Sequence, residues 1–161
     1  MLDSPSAART RDEEGLGSMA SKLRLKGMNA VHRLVIKTSG GRLGWQGGGM
    51  PVLELTTIGR KSGDQRVTML SSPLQDGDTI VVVALGEGGV RHPAWYLNLS
   101  ANPRVTVKWQ GAPPQAMRAH TANEPDRDRM WPLIIESFPD FAKWQAEAGR
   151  QLPLVVLEPI A

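Results

Sequence analysis

Gly59-Arg60-Lys61-Ser62-Gly63, with Arg66 three residues beyond, is the stretch from which the rest of the chain is read. An apolar, β-branched run at 52–57 precedes it and a second run at 67–70 follows it. Two such runs joined by a glycine-bracketed turn predict a β-hairpin. The turn carries two cations and a hydroxyl, and a third cation heads the next strand. Free backbone N–H groups and fork-shaped donors at one corner suit an anion, most simply a phosphate. The same residues also read as a solvated basic turn, because short Lys/Arg groups are common in turns.

Working outward, residues 51–57, 65–72, 79–85, 105–109, 115–121 and 153–158 read as strands. Ile80-Val81-Val82-Val83-Ala84 is continuously apolar and predicts a strand buried on both faces, after a turn at Gln75-Asp76-Gly77-Asp78. Val105, Val107 and Trp109 alternate with polar residues, as in a one-sided strand. Residues 93–101 predict a short helix that begins at a proline and stops at Asn102-Pro103. Asn123, with Glu124 and Asp126 behind it, predicts the start of a helix to about residue 137. Met130, Leu133, Ile134 and Ile135 would be its buried side. A last helix at 140–148 presents Phe141 and Trp144 and ends at Gly149. The class is therefore α+β and mostly antiparallel. A small barrel with flanking helices is the economical way to remove the sheet edges.

Residues 1–18 are polar and charged and predict a disordered tail, with Met19 as a candidate start of the single domain 19–161. Residues 19–37 predict an amphipathic helix. Lys22, Lys26, Arg33 and Lys37 form its basic stripe, and Leu23, Val31 and Val35 lie among its apolar positions. Such a helix packs on the barrel, covers a ligand, or touches anionic lipid as a peripheral contact. Six of the ten residues from Gly40 to Gly49 are glycine, with Trp45 among them, which predicts a loop whose tryptophan anchors it or covers a substrate.

The 161 residues suffice for one core without disulfides, and the absence of cysteine excludes thiol catalysis and thiolate metal sites. A cytoplasmic protein fits that composition. The net charge of +3 is unevenly placed. Residues 19–66 hold nine Lys/Arg against Glu54 and Asp64, whereas 123–148 hold six Asp/Glu against Arg127, Arg129 and Lys143. One end of the molecule should attract anions. No apolar run is long enough to span a bilayer, and no secretory signal is evident. His32, His92 and His120 match no metal spacing, and no metal is expected. There is no nucleophile elbow and no paired-acid site. Basic residues are not interleaved with stacking aromatics, so nucleic acid is not the expected partner. Catalysis, if any, would use a bound organic cofactor that carries the hard chemistry.

Several further blocks lie in a specific order behind Leu55-Thr56-Thr57-Ile58-Gly59-Arg60-Lys61-Ser62-Gly63 and Arg66. They are His92-Pro93-Ala94-Trp95-Tyr96-Leu97-Asn98-Leu99 with Ala101-Asn102-Pro103, then Trp131-Pro132, then Pro153-Leu154-Val155-Val156-Leu157-Glu158-Pro159. With these the chain, from about residue 28 to 159, resembles the deazaflavin-dependent nitroreductase family, actinobacterial reductases that use coenzyme F420. The resemblance implies a split β-barrel of the kind that also binds flavin mononucleotide (FMN). It implies that Arg60, Lys61, Ser62 and Arg66 hold the cofactor's phosphate and glutamate tail. Val67, Thr68, Met69, Leu70 and Ser71 would line the deazaflavin, with Ala84, Leu85, Gly86 and Glu87 as a loop at its ring. Ala94, Trp95, Tyr96, Leu97 and Asn98 would close the site.

Relatives carry Ser-Lys where this chain has Leu85-Gly86, so proton supply would pass to water, Ser71, Ser72 or Tyr96; Ser71 and Tyr96 are the catalytic candidates. Phe138, Phe141 and Trp144 stand where some relatives have tyrosines and, with Trp45, suggest an apolar substrate pocket. The expected reaction is hydride transfer from reduced F420 to an electron-poor, hydrophobic acceptor: a quinone, an activated enone or a nitroaromatic. An FMN-dependent oxidoreductase and a non-catalytic cofactor-binding or membrane-surface protein are the alternatives.

Overall fold

The computed structural model describes residues 46–47, 49–86 and 89–161. The expected tail, the helix at 19–37, Trp45 and Glu87 lie outside the described residues. The strands are β1 (Gln46–Gly47), β2 (Met50–Ile58), β3 (Gln65–Ser71), β4 (Leu74–Asp76), β5 (Thr79–Val83), β6 (Arg104–Trp109), β7 (Gln115–Thr121) and β8 (Leu154–Pro159). The helices are α1 (Ala94–Ala101), α2 (Glu124–Ser137) and α3 (Asp140–Ala148). Every strand pairing is antiparallel. The sheet runs β3-β2-β6-β7-β8-β5-β4, with β1 on β2. Its two terminal strands, β3 and β4, are joined by only Ser72 and Pro73. The sheet must therefore curl until its ends meet, which makes it a split barrel.

The bend is fixed by polar contacts. Ser72 N–H donates to the Pro51 carbonyl at 2.9 Å, and its hydroxyl lies 2.8 Å from the Val81 carbonyl. Inside the curl, Leu53, Leu55, Val82, Val107, Met117 and Leu157 form the main core. On the outer face, Val81, Leu154 and Val156 pack under Met130, Ile134 and Phe141 of the helices. Strand β5 thus contributes to both layers, as its continuous apolar run predicts.

Two strands escape the sequence pattern. Strand β1 has two residues, and Gln75 and Asp76 belong to β4, which leaves Gly77 and Asp78 as the turn. Asn123 caps α2 by accepting from Asp126 N–H at 2.9 Å. The buried stripe of α2 is Arg127, Met130 and Ile134. Leu133 falls off that helical spacing and is 47% exposed, contrary to expectation.

Candidate functional site

The basic turn closes on itself. Gly59 N–H donates to the Asp64 carbonyl at 2.7 Å and Gly63 N–H to the Gly59 carbonyl at 2.8 Å. Gly63 has φ +75°, a conformation that favours glycine. A Cβ on Gly59 would stand 2.8 Å from Ser62 Oγ, so a side chain there would displace the hydroxyl. Ser62 Oγ in turn accepts from Asp64 N–H at 3.2 Å and from Arg66 Nη2 at 3.3 Å. Arg60, Lys61 and Arg66 remain exposed. Of these three, only Arg66 has a carboxylate near among the described residues, Asp64 at 3.5 Å, and both side chains are solvated, so the pair neutralises little.

Helix α1 forms the opposite wall. Pro93 starts it, and Asn102 N–H donates to the Asn98 carbonyl where Pro103 stops it. From α1, Asn98 reaches across to the turn. Its Oδ1 accepts from both Arg60 N–H and Arg60 Nη1 at 3.2 Å, and its Nδ2 donates to Thr57 Oγ1 at 3.3 Å. Asn98 is 5% exposed and Thr57 1%. One buried amide therefore fixes both the backbone and the head of Arg60 while leaving other guanidinium donors available.

Between these walls runs an open groove of about 600 Å³. Arg60, Lys61, Ser62 and Arg66 make its polar end, and Val67, Thr68, Ala94 and Trp95 line it beyond. Gly59, Gln65 and Asn98 complete the lining. Among the described residues no cluster of His, Asp or Glu could hold a metal ion.

The structure brings nine of the expected site residues to this groove: Arg60, Lys61, Ser62, Arg66, Val67, Thr68, Ala94, Trp95 and Asn98. Others go elsewhere. Farther along β3 than the groove-lining residues, Met69 joins a small cluster with Val52 and Leu70 packs against the barrel core. Ser71, paired with Val52 at the far end of β3, does not line the groove. Ala84 is fully buried. Tyr96 packs on the core with its hydroxyl 3.0 Å from Thr121 Oγ1, and the half-buried Leu97 is also outside the lining. Ser72 is buried with its hydroxyl bonded internally, so it is no proton source.

Phe138, Phe141 and Trp144 belong to the outer apolar layer under α2 and α3, where Phe141 and Trp144 meet edge to face at 5.0 Å. Phe141 is buried there, Phe138 and Trp144 are half-buried against the same cluster, and none of the three lines the groove. Gln65 was not singled out from the sequence, since an exposed glutamine at a strand start carries no signal. Leu85 and Gly86 lie beside Arg150, whose Nη2 donates to the Leu85 carbonyl at 3.0 Å. Nothing in the sequence marks Arg150, because the carbonyls its Nη2 reaches at 84, 85 and 91 lie more than fifty residues away.

The F420H(2)-dependent quinone reductase family matches residues 29–159. An F420H(2)-dependent quinone reductase of Mycobacterium tuberculosis is 33% identical over 133 residues, covering 79% of this chain and 87% of that protein. Among solved structures, an F420-H2 dependent reductase (FDR-A) superposes with a TM-score of 0.57 at 32% identity, covering 67% of this chain and 94% of that one. A domain-swapped dimer gives the same TM-score at 33% identity, covering 67% and 80%.

Proposed function

Since this chain belongs to the F420H(2)-dependent quinone reductase family and is an oxidoreductase, we propose that its groove holds reduced F420 and delivers a hydride to a quinone. The observation that carries this reading is the division of the groove. Three cations and a hydroxyl crowd one end, and Val67, Ala94 and Trp95 supply apolar surface beyond them. An elongated molecule with an anionic tail and a flat ring fits that division. When bound, the deazaflavin supplies the hydride.

The protein's own share is placement. Arg60, Lys61 and Arg66 offer charge to the phosphate and glutamate tail, and Ser62 adds a hydroxyl. Asn98 holds Arg60 in place before the anion arrives, which lowers the ordering cost of binding. Val67, Thr68, Ala94 and Trp95 flank the ring and exclude water from it. Tyr96 and Ser71 stand outside the groove, so proton transfer to the reduced acceptor falls to solvent or the cofactor. FMN finds no support in the family match. Activated enones and nitroaromatics share the electron-poor character of quinones and form the wider acceptor list.

The experiment is direct. Purified protein is titrated with F420, and oxidation of reduced F420 is then followed with quinones, enones and nitro compounds. Binding at micromolar cofactor and turnover with a quinone are expected. Absence of binding refutes the reading.

A further inference from the structure

We infer that Arg150 is a positioning residue that sets the groove's α1 wall; the inference rests on the groove being the F420 site. Arg150 follows Gly149, which ends α3 with φ +65°. Its Nη2 reaches the carbonyls of Leu85 and Arg91, each at 3.0 Å, and of Ala84 at 3.4 Å. One guanidinium thus ties the end of β5 to the segment that leads into α1.

Two glycines show how closely these segments lie. Gly86 has φ +72°, and a Cβ there would overlap the Arg91 carbonyl oxygen and sit 3.4 Å from Pro93 Cδ. Gly89 also has φ +72°, and its Cβ would stand 2.9 Å from that of Ala148 on α3. The three segments meet around Arg150, and Pro93 is followed directly by Ala94 and Trp95 of the groove. Arg150 is itself held from behind. Gln145 Nε2 donates to the Arg150 carbonyl at 2.7 Å, and Gln145 Oε1 accepts from Leu152 N–H and from Arg127 Nη2.

Among the described residues, no carboxylate pairs with Arg150. Its described partners are neutral carbonyls. Arg150 is felt at His92: partial desolvation of this exposed imidazole, and then the guanidinium, hold its pKa below the usual value. His92 immediately precedes Pro93, and its ring meets that of Tyr96 at 4.8 Å, tilted by 38°. It reports whether the guanidinium is in place.

The test uses Arg150→Gln and Arg150→Lys in the full chain. The tail cations themselves are untouched in both, although α1 also carries Asn98, so F420 affinity should fall by less than kcat does. Hydride transfer depends steeply on placement, so kcat with a quinone should fall about tenfold in Arg150→Gln. Arg150→Lys keeps the charge but has no planar fork, and should recover part of that loss. In cofactor-free protein, the NMR-titrated pKa of His92 should rise in Arg150→Gln and stay near the parent's in Arg150→Lys.

A parental kcat in Arg150→Gln overturns the inference. So does a loss of affinity that matches the loss of kcat, or an unmoved His92. If Arg150→Gln fails to fold, a parental kcat in Arg150→Lys overturns it equally. Failure of the parent protein itself to bind F420 would instead sink the proposed function, which keeps the two failures apart.

Discussion

Replacing Asn98 separates two roles that one buried amide performs. In Asn98→Ala, Arg60 loses the acceptor for its N–H and its Nη1, and the Thr57 hydroxyl, 1% exposed, loses its partner. Arg60 is exposed, so its share of the loss is small, about 0.5–1 kcal/mol. A buried hydroxyl left unpaired costs about 1–3 kcal/mol, at the low end here because groove water can reach the gap. The sum is about 2 kcal/mol, or roughly 4–8 °C in Tm for a chain of this length. Freeing the Arg60 side chain adds about 0.5–1.5 kcal/mol of ordering cost to anion binding, roughly a two- to tenfold weaker F420 complex.

Asn98→Asp behaves differently. A carboxylate still accepts from Arg60, and the Thr57 hydroxyl can donate to it, so Tm should stay within about 2 °C. Its negative charge beside Arg60 cancels the field that attracts the cofactor, and affinity should fall about tenfold or more. Differential scanning calorimetry and fluorescence titration with F420 read the two effects. The reasoning is refuted if Asn98→Ala melts with the parent, or if Asn98→Asp binds F420 as tightly as the parent.

Other outcomes follow from the same geometry. Arg60→Ala and Lys61→Ala should each weaken F420 by about 1.5–3 kcal/mol, more for longer glutamate tails and less at high salt, as equilibrium titrations at two ionic strengths will show. Ser72→Ala should lower stability by about 1–3 kcal/mol in denaturant melts and leave kcat unchanged, because its hydroxyl serves the β3–β4 bend. Gly86→Ala meets both a positive φ and the Arg91 carbonyl, and should reduce Tm and the yield of folded protein. His92 has its folded pKa below the unfolded value of about 6.5, so its neutral form favours folding. That contribution is present above pH ~6.5 and is lost as pH falls through the folded pKa; His92→Gln should flatten this limb of the stability–pH curve.

The hairpin, the doubly buried strand at 80–84 and the three helices were legible from the sequence. Each rests on a local pattern: β-branched runs, glycine turns, a proline start, an asparagine cap. The cationic corner was legible for the same reason, since Arg60, Lys61 and Ser62 sit in the turn and Arg66 at the head of the next strand. What local pattern leaves open is which side of a strand or helix faces which neighbour. Thr68 lines the groove while Met69, the next residue, packs on Val52, and Phe138, Phe141 and Trp144 join the outer cluster with α2 and α3. Asn98 grips Arg60 across 38 residues and Arg150 reaches Arg91 across 59. Contacts that distant in sequence exist only once the sheet has curled and the helices have docked. The chain's local chemistry therefore announced a cationic hairpin corner, and tertiary packing alone decided which residues stand behind it.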